Sequence, residues 1–370
     1  MANPLKFGLS PHALRALERA CLHRKRCLYP KNLIDFASND YLGLGTQKEL
    51  LEQAFELVKN QPCHAPKASM LINGYHPLHQ QLEQELCQLL DYPACVIVGS
   101  GFLGNVALLD ALVRKNDLLL MDANYHASGQ FVAKKLSNTL FFAHNNPQDL
   151  EQKLKTHRPK GRVLIAIEGV YSMDGQIAPK EIYTLATEHN AYLILDEAHS
   201  LGVIGDHLLG YLDYHQLKPT PQTILLGTFS KAYGSYGAFI ASSVEIIDFL
   251  CNRAKSIIYT TSLSLLDSAL VLVNIQHLYA SLGAYQKILA QMRVGVRLLG
   301  TTQSNILTLP FKSSPQLLQV QAQLLEQGFL CAAIRPPTTP KPLLRLSLNI
   351  QPQDTLAKLE HLCHLLLNLV

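Results

Sequence analysis

Lys231 stands in the run Gly227-Thr-Phe-Ser-Lys-Ala-Tyr-Gly-Ser-Tyr-Gly237, directly behind the apolar stretch Thr223 to Leu226. Hydroxyls and glycines around an amine at the exit of a buried strand leave it poorly solvated. Desolvation lowers an amine's pKa and makes it a nucleophile toward carbonyl carbon. Most lysines are solvated, so a plain surface loop is the alternative, and the other chemically capable residues decide between the two.

Three further stretches have that capacity. Gly99-Ser-Gly-Phe-Leu-Gly104 has the G-x-G-x-x-G form of a dinucleotide turn, with Asp122 eighteen residues beyond Gly104. The physics beneath the pattern is broader, because free backbone N–H groups and a helix dipole bind any phosphate. A bare strand-to-helix turn is the structural alternative. Asp196-Glu-Ala-His199 copies a helicase box, but such an enzyme needs a G-x-x-x-x-G-K-[ST] loop, and the chain has none. A better reading is a buried carboxylate that keeps a pyridine nitrogen protonated, with His199 reaching a neighbouring polar atom; a helix-capping aspartate is the plain one. His126, in Asp122-Ala-Asn-Tyr-His-Ala-Ser-Gly129, is either a satisfied structural histidine or a flat ring on which a planar cofactor stacks.

The elements that must position these residues follow from periodicity. Apolar runs at 94–98, 118–122, 162–167, 191–196 and 223–227, each followed by a polar turn and a helical stretch, predict an α/β core with a mostly parallel sheet. Ligands gather at the carboxyl ends of such strands, where all four motifs lie. Ahead of the core come an amphipathic helix from Pro11 to about Leu22, a strand at Leu33 to Ala37, helices at 47–59 and 77–90, and a loop from Gln61 to Tyr75. Beyond Ser262, helical runs to 299 precede strands at 305–309 and 343–348 and helices at 315–327 and 353–369. The expected division is an N-terminal segment 1–46, a large domain 47–275 and a small α+β domain 276–370. Prolines 336, 337, 340 and 342 stiffen the loop 335–342.

Composition narrows the classes. With 48% hydrophobic and 16% charged residues the chain is globular and not disordered. A net charge of +4 with scattered basic residues does not indicate nucleic acid. No apolar run approaches a membrane span. The eight cysteines form no Cys-x-x-Cys pair and no zinc spacing, so reduced thiols, a cytoplasmic location and no metal are expected. The basic N-terminus, including Lys6, Arg24, Lys25 and Arg26, could pass for a presequence but runs into the fold without a linker, which favours an ordered first helix.

A phosphate-binding turn, a carboxylate for a pyridine nitrogen, a flat ring and an imine-forming amine are together what pyridoxal 5′-phosphate (PLP) requires. The chain also carries Phe36-Ala-Ser-Asn-Asp-Tyr-Leu-Gly-Leu44, Glu168-Gly-Val-Tyr-Ser-Met-Asp-Gly175, Asp196-Glu-Ala-His-Ser-Leu-Gly-Val-Ile-Gly205, Thr228-Phe-Ser-Lys231 and Ala333-Ile-Arg-Pro-Pro-Thr338. On these motifs, in this order, it resembles the α-oxoamine synthases of the fold-type I PLP enzymes from about residue 10 to its end. That resemblance implies a mixed, mostly parallel sheet flanked by helices, a smaller α+β C-terminal domain, and a homodimer with shared active sites. Arg335-Pro-Pro-Thr338 and the chain length resemble the branch, on the route to biotin, that condenses L-alanine with pimeloyl-CoA or pimeloyl-acyl carrier protein and releases CO2. Relatives of the 5-aminolevulinate synthase, 2-amino-3-ketobutyrate ligase and serine palmitoyltransferase types are the alternatives. An NAD-dependent oxidoreductase would leave Lys231, Asp196 and His126 unexplained, and a catalytically inert partner subunit would be expected to lack the lysine.

The resemblance also implies roles. Lys231 would hold PLP and later move the substrate's Cα proton; Asp196 would keep the pyridine nitrogen protonated; His126 would stack on the ring; and His199, with Ser172 nearby, would bond the phenolic oxygen. Gly101, Phe102, Thr228 and Ser230 would hold the phosphate, and Thr260 or Thr261 would complete the partner's phosphate site. Arg345 would bind the substrate carboxylate with Asn39 assisting, a task suited to its planar fork. Thr338 would face the substrates, and Arg24 or Arg26 the distal carboxylate of the acyl chain. The segment Pro62 to Gly74 departs from the glycine- and serine-rich loop of many relatives, a difference that bears on carrier recognition.

Overall fold

Runs such as Leu118–Asp122 and Thr223–Thr228 are apolar at nearly every position, the mark of strands covered on both faces, and every residue of both is buried. The computed structural model describes residues 11–20, 22–24 and 26–369. Its strands are β1 (Ile34–Phe36), β2 (Ala94–Val98), β3 (Leu118–Asp122), β4 (Thr139–Phe142), β5 (Val163–Glu168), β6 (Tyr192–Asp196), β7 (Thr223–Thr228), β8 (Ala238–Ser242), β9 (Ile306–Pro310), β10 (Phe329–Ile334) and β11 (Leu343–Ser347). Seven of them form the main sheet in the order β2-β8-β7-β6-β5-β3-β4. β8 runs antiparallel to both neighbours and the remaining pairs are parallel, which makes the sheet mixed but mostly parallel.

Alternate residues feed opposite faces of this sheet. Leu119, Met121, Ile194 and Leu226 pack into one apolar cluster, and Leu118, Leu120, Leu193 and Leu195 into another. The parallel register sets Glu168 beside Asp196 and Asp196 beside Leu226. The polar residues that end β3, β5, β6 and β7 therefore emerge along one edge, where the sequence places its chemistry. Gly104 lets the helix Gly101–Leu112 lie close on β7, since a Cβ there would stand 2.4 Å from Leu226 Cδ1.

The second sheet has the order β1-β10-β11-β9 and its own apolar core around Phe36, Leu307, Phe329, Leu344 and Leu362. β1 pairs in parallel with β10, Ile34 opposite Phe329, so the N-terminal strand is built into the sheet of the C-terminal lobe. The residue 275/276 division falls inside the continuous helix Leu265–Ala280. The first helix is Pro11–Arg19, shorter than the reading to Leu22. Lys6, Cys21 and Lys25 lie outside the described residues.

Three strands, β4, β8 and β10, have no counterpart in the periodicity reading. β8 follows the Lys231 loop without an intervening helix and reads Ala-Phe-Ile-Ala-Ser, three of its five residues small. β10 opens directly after Gly328, whose φ of 84° turns the chain out of the preceding helix. Within the expected loop 61–75, Met70–Gly74 makes a short wide helical turn. Among the described residues no single helix is long and apolar enough to cross a membrane.

Candidate active site

β7 delivers Thr228 and the loop behind it. Phe229 N donates to the Gly237 carbonyl and Ser235 N to the Phe229 carbonyl, so the loop is clamped at its base. Gly237 has a φ of 109°, and a side chain there would press on Leu263 and Phe229. Lys231 lies within this clamp. Burial pushes its amine down to about 8, against the raising pull of Asp196 and Glu168 and with the help of Arg345's positive charge. Such an amine carries a reactive lone pair near neutral pH.

Thr228 Oγ1 donates to the Gly237 carbonyl at 2.9 Å and lies 2.9 Å from Ser230 Oγ. One hydroxyl has one proton, so Ser230 donates to Thr228. This pair faces the start of the helix Gly101–Leu112, because the nearest atom to a Cβ on Gly101 would be Thr228 Cβ at 3.9 Å. Ser100 Oγ caps the Leu103 amide. The amides of Gly101 and Phe102 precede any intrahelical partner, and with the helix dipole they favour an anion. The Phe102 ring is exposed and packs on Phe131. Thr260 approaches Gly99 through its methyl group and Thr261 bridges to Ser69, so neither joins the Thr228–Ser230 pair within this chain.

Asp196, buried at the end of β6, accepts from the Ala198 amide at 3.0 Å and from Asn105 Nδ2 at 2.9 Å. The Asn105 amide also donates to Ser128 Oγ at 2.9 Å, and its oxygen accepts from Tyr125. Ser128 in turn lies 2.7 Å from His126 Nδ1, which caps the helix Ala127–Ala133 and leaves the ring exposed. Asp196 and His126 are thus joined through Asn105 and Ser128, neither of which the motifs identified. An Asn set among the apolar residues Phe102 to Leu109 of this helix was the available signal for Asn105.

Glu168 ends β5 and is buried. Its Oε2 accepts from the Ser172 amide at 3.2 Å, whereas Oε1 has no hydrogen-bond partner among the described residues. Burial, and then the neighbouring Asp196, push this carboxyl well above the usual carboxylate range. Arg345, on β11, reaches across from the second sheet. Nε donates to the Ser172 carbonyl at 2.7 Å, Nη1 to Ser347 Oγ at 2.8 Å, and Nη2 to Asn39 Oδ1 at 3.0 Å and to the Tyr41 hydroxyl at 2.9 Å. Four of the five guanidinium N–H groups are committed, which leaves one on Nη1. The Tyr41 hydroxyl is also 2.7 Å from His199 Nδ1. Burial, followed by the charges of Lys231, Arg345 and His126, holds His199 well below the usual histidine range, so its ring is neutral.

Arg24 Nη2 donates to Thr338 Oγ1 at 2.9 Å. Leu22, Arg24, Arg335, Pro336 and Thr338 line a cavity of about 210 Å³ there. Arg26 is exposed and does not line it. The structure therefore gathers Lys231, Asp196, His126, His199, Ser172, Asn39 and Arg345 at one edge, sets the phosphate-type donors beside them, and pairs Arg24 with Thr338.

The model of the family described as aminotransferase class I and II matches residues 31–366. The 8-amino-7-oxononanoate synthase of Helicobacter pylori J99 is 51% identical over 349 residues, covering 92% of this chain and 92% of its own. That of Helicobacter pylori 26695 is 50% identical, with 96% of each chain covered. The fold is similar to that of a serine palmitoyltransferase from S. paucimobilis solved with PLP and myriocin bound, with a TM-score of 0.87, 24% identity, and 97% and 96% coverage.

Proposed function

The chain belongs to the aminotransferase class I and II family, and from that membership we propose that it catalyses the PLP-dependent condensation of L-alanine with a pimeloyl thioester, giving 8-amino-7-oxononanoate, CO2 and the free thiol carrier. The observation that carries the cofactor assignment is the Lys231 amine, held down to about 8 beside Asp196. Identity of 51% over nearly the whole chain supports the choice of branch. The likeness to serine palmitoyltransferase, at 24% identity, speaks for the fold.

The donor set fits PLP. Lys231 would hold it covalently, the Gly101 and Phe102 amides with Thr228 and Ser230 would hold its phosphate, His126 would cover one face of the ring, and His199 would donate to its phenolic oxygen with Ser172 beside it. Once bound, PLP supplies a ring that accepts the electrons left at the amino acid's Cα. Asp196, held in place by the Ala198 amide and Asn105 Nδ2, would face the ring nitrogen and keep it protonated. The Lys231 amine would be the group that moves the Cα proton of alanine, and a base held down to about 8 suits proton transfer in both directions.

For the amino-acid carboxylate, the remaining Nη1 N–H of Arg345 and the amide nitrogen of Asn39 are the available donors. Arg24 is preferred to Arg26 for the distal carboxylate of the acyl chain, because it lines the cavity at Thr338. The protein works as a cytoplasmic homodimer in which Thr260 or Thr261 reaches the partner's phosphate site, and coenzyme A and acyl carrier protein are both open as carriers.

Two measurements test the reading. The purified protein is expected to absorb visible light from bound PLP, and Lys231→Ala to lose that band; a colourless protein that binds no PLP defeats the cofactor assignment. CO2 release from alanine should require pimeloyl thioester. Faster turnover of glycine or serine with another acyl donor would move the chain to a different branch of the same family.

A further inference from the structure

Tyr41 belongs to none of the roles above, yet it touches two residues that have one. It is fully buried, and its hydroxyl lies at the meeting point of Arg345 and His199. Arg345 Nη2 can only donate, so the Tyr41 oxygen accepts there. The single hydroxyl proton then has two possible acceptors, His199 Nδ1 at 2.7 Å and Asn39 Oδ1 at 3.5 Å. The second is at the limit of a hydrogen bond, and Asn39 Oδ1 already accepts from Arg345. The proton therefore points at Nδ1. A neutral imidazole that accepts at Nδ1 carries its hydrogen on Nε2.

We propose that Tyr41 is a positioning residue that fixes His199 as the tautomer protonated at Nε2 and ties that choice to Arg345. The opposite tautomer would place an Nδ1–H against a hydroxyl oxygen that already accepts from a guanidinium, and would drive the Tyr41 proton to the 3.5 Å contact. Arg345 strengthens the arrangement, because a donor aimed at the hydroxyl oxygen polarises its O–H bond. The neutral state of His199 follows from its burial and from the positive groups Lys231 and Arg345 that face it, with His126 beyond. The result is an N–H donor of fixed direction at Nε2, the atom left for the cofactor's phenolic oxygen. That last step rests on the proposed function, whereas the tautomer does not.

The test separates the two. Ring-nitrogen NMR of histidine-labelled, cofactor-free protein, with His199→Asn used to assign the signal, is expected to find a bare Nδ1 and a protonated Nε2 in the wild type. A protonated Nδ1 in the wild type overturns the proposal without any variant. Tyr41→Phe removes one oxygen and leaves Arg345 Nη2 its bond to Asn39, so a folded protein with a melting temperature lowered by several degrees is expected. In this variant the His199 signals should move to exchange-averaged or reversed values; an unchanged ring pattern in a folded Tyr41→Phe protein also overturns it. In the PLP-loaded enzyme the visible band's titration midpoint should shift by about one pH unit, and alanine binding should weaken about 10-fold, the loss of one hydrogen bond to a charged group. If the protein fails to bind PLP, the proposed function falls and the tautomer result still stands.

Discussion

At Lys231 the decisive quantity is desolvation set against nearby carboxylates. Burial alone would lower the amine further; Asp196 and Glu168 hold it at about 8, where it can act both as nucleophile and as base. Lys231→Ala is expected to lower turnover by at least about 10³-fold and to abolish the visible PLP band, read by single-turnover CO2 release and absorbance. Arg345 is a second residue where one atom set does several tasks. Its bonds to Ser172, Ser347, Asn39 and Tyr41 leave no slack for a shorter or non-planar cation. Arg345→Lys keeps the charge but abandons most of these bonds. A rise of about 10- to 100-fold in the KM for alanine is expected, with a smaller change in kcat, from steady-state rates at varied alanine.

Elements hold these residues through contacts between strand-end loops, and His144 carries one such contact. It follows β4, and its Nδ1 lies 2.9 Å from Asp122, at the end of β3, while Nε2 lies 3.0 Å from Asp174, in the loop after β5. The Asp174 contact is one of charge without hydrogen-bond alignment. Burial lowers the His144 pKa, but the hydrogen bond to Asp122 and the negative charges of both carboxylates outweigh it and raise it to about 9. The folded value is thus above the unfolded value of about 6.5. The contribution to stability is therefore complete below about pH 6.5 and is lost as the pH rises through about 9. Wild type and His144→Gln should differ by on the order of 2 kcal/mol at pH 6 and converge by about pH 10, measured by denaturant unfolding across that range. A constant difference would mean that His144 acts by packing alone. The same staple joins the loops that carry His126 and Ser172, so the variant should also loosen PLP binding.

At the scale of the whole molecule, the helix Lys48–Lys59 packs one face on Leu265–Ala280 and leaves Leu51, Phe55 and Leu57 exposed beside Leu266 and Val273. An open apolar strip of this kind suits the proposed homodimer. Sedimentation is expected to give about twice the chain mass of 41.1 kDa, and Phe55→Glu to shift the population toward monomer; a wild-type monomer would remove the shared-site reading. By itself the sequence determined the strand-end chemistry: Lys231, Asp196, His126, His199 and the glycine turn stand in runs whose periodicity marks strand and turn, and local spacing suffices for that. β8 and β10 were not legible, because small residues and the missing crossover helix broke the alternation template. The parts played by Asn105, Ser128 and Tyr41 were not legible either, because their importance lies in partners 23 to 304 residues away. Only the tertiary structure decided that β1 joins the C-terminal sheet, that Arg24 and not Arg26 meets Thr338, and that Arg345 enters the site already bound by four hydrogen bonds. Hydrogen bonds are set by distance in space, and the chain order carries no record of which buried donor will find which acceptor.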